Sequence, residues 1–373
     1  MNIGILRGDP KRDRRIALTP AAVQSLISSG NTVYIQKDAG IASHFLDEEY
    51  KAVGAQIVYS NDEVFGRSAM ILKISSPTDE ECDKLIDSQI LFSFLHLAVA
   101  KTRTLESLLQ KHICSIGYEL IEDTSGNLPI LQVMSEIAGQ MSIHTAARYL
   151  ESLNNGRGIV LGGISGVPPA SVVIIGAGTV GQAATRMALG VGARVNVFDN
   201  DLSRLRWMEN RFDHRISTAV INEYNLTKSL RTADVLIGAV LIKGERAPHV
   251  VSEEMVKQMR PGSIVIDVSI DQGGCIETSR PTTLESPTYT IHNVIHYCVP
   301  NMTANVARTA TYGLTNSLLP YISEIAAKGI DLAVKDHEGL LRGICTYKGF
   351  CTKESIARRF EVESKDIHSL LSS

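Results

Sequence analysis

Residues 171–199 read SVVIIGAGTVGQAATRMALGVGARVNVFD, and no other stretch restricts the fold of this chain as much. Ser171 to Ile175 is a short β-branched apolar run, the pattern of a buried strand. Gly176, Gly178 and Gly181 follow at G-x-G-x-x-G spacing, and a helix-compatible segment begins at once. Gly176 permits a tight turn, Gly178 a close approach of backbone to a pyrophosphate, and Gly181 close packing of helix on strand. The helix N-terminus presents unpaired N–H groups to the phosphates. A second apolar run, Arg194 to Phe198, ends on Asp199, at the separation from the glycines where an acid bonds the ribose hydroxyls of NAD. Asn200 and Asp201 come next, so a 2′-phosphate would face two carboxylates; this favours NAD over NADP, tempered by Arg204 and Arg206 a turn further on. A lone glycine motif says little. Strand, glycines, helix, strand and acid in that order predict a dinucleotide site.

At 373 residues the chain has room for two domains. Its 44% hydrophobic and 21% charged residues are those of an ordinary globular protein. A net charge of −3 without long single-sign runs gives no support to a nucleic-acid or membrane-surface partner. The N-terminus, MNIGILRGDPKRDRR, is too charged for an export signal, and no apolar run has the length of a membrane span. Six cysteines (82, 114, 275, 298, 345 and 351) include no C-x-x-C pair and read as reduced thiols, with Cys345 and Cys351 the pair closest to a disulfide or metal pattern. No metal site is expected. A cytoplasmic enzyme is.

Before the glycine motif, strand-like and helix-like runs alternate: NIGIL, IALTPAAVQSLISSG, NTVYIQ, GAQIVY, a helix near Asp62 to Arg67, AMILKI and QILFSFLHLA. Thr19-Pro20 is a helix start, with Pro at the first position where no N–H is needed. Such alternation predicts an α/β architecture with a mainly parallel sheet. Ligands of open α/β sheets bind beyond the carboxyl ends of the strands. Lys73 ends the AMIL run, His96 lies at the far end of another, and Arg15 sits in the loop before a strong helix. Singly, each has an ordinary reading: a snorkelling lysine, a core histidine, a solvated loop charge. Together they form a cation clamp with an imidazole, suited to a small carboxylate substrate.

A long helix over residues 128–153 is expected to join the first domain to the second, with Met134 and Ser135 near its start, followed by a Gly/Pro-rich loop. After Asp199 the alternation resumes, and the buried run SIVIDVSI is expected to lead straight into Asp271-Gln272-Gly273-Gly274. An acid at a strand end before two glycines suits close contact with a ligand. Asn301 and Met302 precede a second long helix that returns the chain to the first domain, where the tail from Ile330 packs or meets a neighbouring subunit.

These residues carry a resemblance that runs end to end. RIALTP (15–20), ILFSFLHLA (90–98), MSEIAGQMS (134–142), GIVLGGISGVPPASVVIIGAGTVG (158–181), ADVLIGAVLIKGERAP (233–248), DVSIDQGGCIETSRPTT (267–283), YCVPNM (297–302) and TYGLTNSLLPYI (311–322) resemble the alanine dehydrogenases, whose N-terminal half is related to nicotinamide nucleotide transhydrogenase. The resemblance implies a Rossmann NAD-binding domain (129–304) inserted into a Rossmann-like (flavodoxin-like) catalytic domain (1–128 and 305–373), joined by long helices. It implies that Arg15 holds the substrate carboxylate, that Lys73 orients it and polarises the carbonyl, and that His96 is the general acid/base. Asp271 would contact the nicotinamide ribose and assist proton transfer. Asn301 would line the substrate and cofactor. Ser135, Gly176, Gly178, Thr179, Val180, Gly181, Asp199, Arg204, Val240, Leu241 and Met302 would line the NAD site, with Met134 beside it.

The implied reaction is reversible oxidative deamination of L-alanine to pyruvate and ammonia with NAD, between the domains of a homo-oligomer, commonly a hexamer. Three positions depart from the family pattern: Gly8 where many members carry glutamate, Ser75-Ser76-Pro77 where a basic-acidic-proline run is usual, and Phe94 where tyrosine is frequent. They bear on substrate identity and rate. The rival readings are a dehydrogenase for another small amino acid, a transhydrogenase-type subunit that shuttles hydride with a membrane partner, and a non-catalytic NAD-binding descendant.

Overall fold

The computed structural model describes residues 1–243 and 245–372. The chain divides into two compact units, residues 1–134 with 304–373, and residues 135–303. The first division falls inside the helix Pro129–Tyr149, at 134/135 rather than 128/129. Val133 and Met134 account for the shift, since Val133 packs on Gly313 and the Met134 sulfur meets Arg15, both in the first unit.

In the first unit β1 (Asn2–Ile5), β2 (Thr32–Gln36), β3 (Gln56–Val58), β4 (Met70–Ser75), β5 (Ile90–Phe94) and β6 (Cys114–Gly117) form a parallel sheet. Their spatial order is β3-β2-β1-β4-β5-β6. This is the Rossmann order; the flavodoxin-like variant expected for this unit would run 2-1-3-4-5.

In the second unit β7 (Ser171–Ile175), β8 (Arg194–Asp199), β9 (Ser217–Val220), β10 (Val235–Gly238), β11 (Ile264–Asp267), β12 (Thr288–Ile291) and β13 (Val294–Tyr297) follow the order β9-β8-β7-β10-β11-β13-β12. All pair in parallel except β12, an antiparallel edge strand on β13. The second unit therefore repeats the strand order of the first and closes it with a hairpin. Its strands are apolar on both faces for a packing reason. Val172, Ile174, Val197, Ile237 and Ile266 point into one core with Ala184 and Ala188, while Val173, Ile175, Phe198, Leu236 and Val265 point into another with Leu226 and Leu230.

The tail belongs to the first unit. β14 (Ile344–Tyr347) pairs antiparallel with β6, and β15 (Phe350–Cys351) closes the edge of that sheet. Cys345 and Cys351 are buried there beside Leu105, Leu108 and Ile356, and all six cysteines are buried and free. Among the described residues no three His, Cys, Asp or Glu side chains cluster as a metal site, and no helix is long and apolar enough to cross a membrane.

Candidate active and dinucleotide sites

Reversal of strand order between β1 and β4, and between β7 and β10, opens a crevice at the carboxyl ends of each sheet. Lys73 and His96 lie at such ends of the first sheet, with Arg15 in the loop after β1, and the glycine loop, Asp199 and Asp271 lie at or just beyond those of the second.

In the first unit Arg15 follows β1 by a short loop and is 3% exposed. Residues 14–19 are strapped to the rest of the unit. The Ile16 and Thr19 N–H groups donate to the Thr311 and Thr315 hydroxyls, one turn apart on the helix Ala307–Lys328, and Ser43 Oγ donates to the Arg14 carbonyl. The guanidinium is held from one side by Asp13, with Nε on Oδ1 at 2.9 Å and Nη2 on Oδ2 at 2.6 Å. Asp13 also accepts Arg15's own N–H and, at 3.2 Å, the Ser75 hydroxyl. Nη1 meets the Met134 sulfur at 3.2 Å, and the guanidinium carbon stands 5.6 Å from the Phe94 ring centre.

In the sequence Asp13 is one charge among several in RGDPKRDRR. Its role is invisible to local patterning, because what makes it a partner is burial.

Lys73, near the end of β4, is 5% exposed and donates to Glu81 Oε1 at 2.7 Å. Glu81 is also the third residue of a capping box. Its other oxygen accepts the Thr78 N–H, and its own N–H donates to Thr78 Oγ1. The T-x-x-E pattern before residues 79–84 is the signal that would have found it. Arg15 and Lys73 are thus each neutralised by a carboxylate of their own. From β4 it is Ser75, two residues beyond Lys73, that reaches the Asp13–Arg15 pair.

His96 follows β5, with its backbone in the left-handed region at φ 45°. Phe94 stacks on its ring, with centroids 5.8 Å apart and planes 11° from parallel. Phe94 therefore has Arg15 and His96 as neighbours. His96 Nδ1 is buried and has no hydrogen-bond partner among the described residues. Its N–H donates to Glu119 Oε1 at 2.7 Å.

In the second unit the glycine loop has the geometry a dinucleotide needs. A Cβ on Gly176 would stand 2.2 Å from the Ala239 carbonyl oxygen, and one on Gly181 would stand 1.9 Å from that of Gly176. Next to Gly178 there is open space, and the helix Thr179–Gly190 begins directly after it. Val180 packs under Gly139 of the helix Pro129–Tyr149. Asp199, at the end of β8, accepts the N–H groups of Ala177 at 2.7 Å and Asp201 at 2.8 Å, so it ties the glycine loop to the strand. Arg204 Nη1 lies 4.0 Å from it. After β10, Val240 donates its N–H to Ser269 Oγ and Leu241 is half exposed.

β11 stops at Asp267, earlier than expected, and residues 268–272 form a 3-10 turn that carries Asp271. The reason is Asp267. Its buried carboxylate accepts N–H bonds from Ser269, Cys275 and Ile276 and folds the chain back on itself, while burial raises its pKa. Asp271 Oδ1 accepts the N–H of Asn301 at 3.0 Å, and Asn301 is itself left-handed at φ 55°. Met302 is buried in the second unit's core. Ser135 is partly buried on its helix.

Two doubly wound units, one with a G-x-G-x-x-G loop at a helix N-terminus and the other with buried cations and an imidazole, define an α/β protein of the nucleotide-dependent dehydrogenase type. Residues 4–138 match the N-terminal domain, and 142–354 the C-terminal domain, of the alanine dehydrogenase/PNT family. The chain belongs to that family. Proteins called alanine dehydrogenase are 45% identical in Methanococcus maripaludis (97% of each chain covered) and 41% identical in Mycobacterium tuberculosis (100% of each). A solved L-alanine dehydrogenase superposes with a TM-score of 0.90 at 40% identity, covering 97% of this chain and 99% of that one. A transhydrogenase from Sinorhizobium meliloti, at 20% identity and a TM-score of 0.79, shares the fold.

Proposed function

We propose that this protein catalyses the reversible, NAD-dependent oxidative deamination of L-alanine to pyruvate and ammonia. Kinship over the whole length with proteins named alanine dehydrogenase supports the reaction. The observation that favours it most within the chain is the grouping of Arg15 and His96 around Phe94. A fixed cation and an unpartnered imidazole nitrogen are what a 2-oxo acid requires.

Arg15 takes the substrate carboxylate. The Met134 sulfur on Nη1 is a weak acceptor that a carboxylate oxygen outcompetes. Lys73 orients the substrate and polarises its carbonyl. His96 takes and returns the protons as water adds to the iminium carbon and ammonia leaves, a role that suits an imidazole near neutrality. The glycine loop, Asp199, Ser135, Val240, Leu241, Asp271, Asn301 and Met302 are the residues that would hold NAD. Bound there, NAD would supply the hydride acceptor for the substrate Cα. The protein's own part is orientation, worth several of the roughly 7–11 kcal/mol that positioning can contribute. We further propose that the enzyme works in the cytoplasm as a homo-oligomer, with a hexamer expected.

NADH oxidation by the purified protein with pyruvate, measured with and without ammonium, tests the reading. Ammonium-dependent oxidation is expected; its absence would leave a transhydrogenase-type or non-catalytic NAD-binding role. Glyoxylate and 2-oxobutyrate run in parallel decide the substrate, which matters because Ser75 bonds Asp13, the carboxylate on Arg15, and Phe94 lies beside Arg15 itself. His96→Ala is expected to lower turnover about 10²-fold with NADH affinity unchanged. Turnover at the unmodified rate would remove His96 from the mechanism.

A further inference from the structure

We infer that Glu119 is a positioning residue that sets the backbone, and through it the imidazole, of His96. The inference rests on the assignment of His96 as acid/base.

A residue with a Cβ loses about 1 kcal/mol or more in the left-handed region and stays there only where its surroundings enforce it. His96, at φ 45°, is such a residue. Glu119 supplies the enforcement from the neighbouring strand. It lies in the 3-10 turn Tyr118–Leu120 directly after β6, which pairs with β5. Both carboxylate oxygens are used on the turn that carries the histidine: Oε1 accepts the His96 N–H at 2.7 Å, and Oε2 accepts the Leu95 N–H at 3.3 Å. Two adjacent N–H groups aimed at one carboxylate fix the peptide plane that leads into His96.

Glu119 is 5% exposed. A buried carboxylate is costly unless its hydrogen bonds are good, and these two are charge-assisted. Among the described residues it forms no ion pair. Its charge therefore faces the His96 turn.

The chain also makes room for this carboxyl group. A Cβ on Gly117 would lie 3.3 Å from each of its three atoms, tighter than an ordinary contact. Gly117 has φ −82°, so its conformation does not demand glycine; the nearness of Glu119 does. On the other side, Phe94 closes over the His96 ring. The imidazole is thus fixed by its backbone and by one stacking face, while Nδ1 stays unpartnered among the described residues. That combination leaves the ring placed but chemically uncommitted.

The test is a double-mutant cycle in the full-length enzyme, with NADH, pyruvate and ammonium as reactants. Glu119→Gln keeps the size but turns an amide N–H₂ toward one of the two backbone donors. It is expected to lower kcat about 10-fold or more, because misplacements of an ångström or less cost factors of 10–10². The Kd for NADH, from fluorescence titration, should stay within about 2-fold. Gly117→Ala is a gentler second variant that pushes Glu119 without removing it, with a fall in kcat of about 2- to 5-fold expected. In a His96→Ala background both effects should shrink below about 2-fold, since a residue that acts only through His96 has nothing left to position.

Glu119→Gln at the unmodified kcat, or an effect that persists undiminished in the His96→Ala background, overturns the inference. Loss of melting temperature with kcat intact overturns it too, because it marks a purely structural role. The two levels fail differently: His96→Ala alone at full turnover sinks the assignment of His96, and this inference with it.

Discussion

Asp13→Ala is the substitution whose cost can be worked out most directly from the structure. The Asp13 and Arg15 side chains are 0% and 2% exposed, and the guanidinium is held by two of its nitrogens. Removing the carboxylate takes the Asp13 counter-charge away from a buried cation and removes the acceptor that Asp13 offers to the Arg15 N–H and to the Ser75 hydroxyl. Breaking such a pair from one side costs about 3–5 kcal/mol, since the charge that remains is already out of water and has lost the carboxylate that opposed it. For a unit of about 200 residues this corresponds to a fall in Tm of roughly 6–20 °C. Calorimetry without cofactor is the assay, because the two units can melt separately. Asp13→Ala combined with Arg15→Met removes both charges and should recover most of the loss. The reasoning fails if Asp13→Ala melts within about 2 °C of the unmodified protein. It also fails if the double variant is no more stable than the single one. In steady-state kinetics the single variant should raise KM for pyruvate and leave KM for NADH alone, because what is misplaced is the cation proposed to meet the substrate carboxylate.

Two further outcomes follow from the second unit. Asp199→Ser should bring the NADP-to-NAD ratio of kcat/KM up by about tenfold or more, as a carboxylate facing a 2′-phosphate is removed while Arg204 remains; an unchanged ratio would mean that Asp199 only tethers the glycine loop through Ala177. His296 is fully buried between the Val294 carbonyl and Thr278, and burial brings its pKa down to about 4 from 6.5. The unfolded chain takes up this proton below pH 6.5 and the folded chain only near pH 4. Stability is therefore full above pH 6.5 and declines through that window, by about 3 kcal/mol at its lower end. Chemical denaturation of the protein between pH 7 and 4 reads this slope, and His296→Gln should flatten it.

Much of the second unit was legible before any coordinates. β7, the glycines, the helix Thr179–Gly190 and β8 are contiguous in the chain, and their signals are local: apolar period, missing Cβ atoms, a terminal acid. The first unit was legible only as an alternation. Arg15, Lys73 and His96 stand out as residue types, yet nothing local announces Asp13 or Glu119 as the carboxylates that govern them, and the capping pattern Thr78-x-x-Glu81 marks Glu81 as a helix cap without pointing to Lys73. β11 was read too long for the same reason. Asp267 ends it by collecting three N–H groups from up to nine residues away, whereas an apolar run reports only burial.

The sequence by itself determined the class of chain and the residue types of its candidate site: two α/β units, a glycine loop between strand and helix, and Arg15, Lys73 and His96 beyond apolar runs. Tertiary structure decided how those groups are held. The Arg15 segment hangs on Thr311 and Thr315, the Lys73 ammonium on Glu81, the His96 turn on Glu119, and the edge of the first sheet on a tail more than two hundred residues downstream of β6. The physical reason is common to all four. A buried charge or backbone donor must be matched where it ends up, and the group that matches it is chosen by the fold's packing, whatever its distance along the chain.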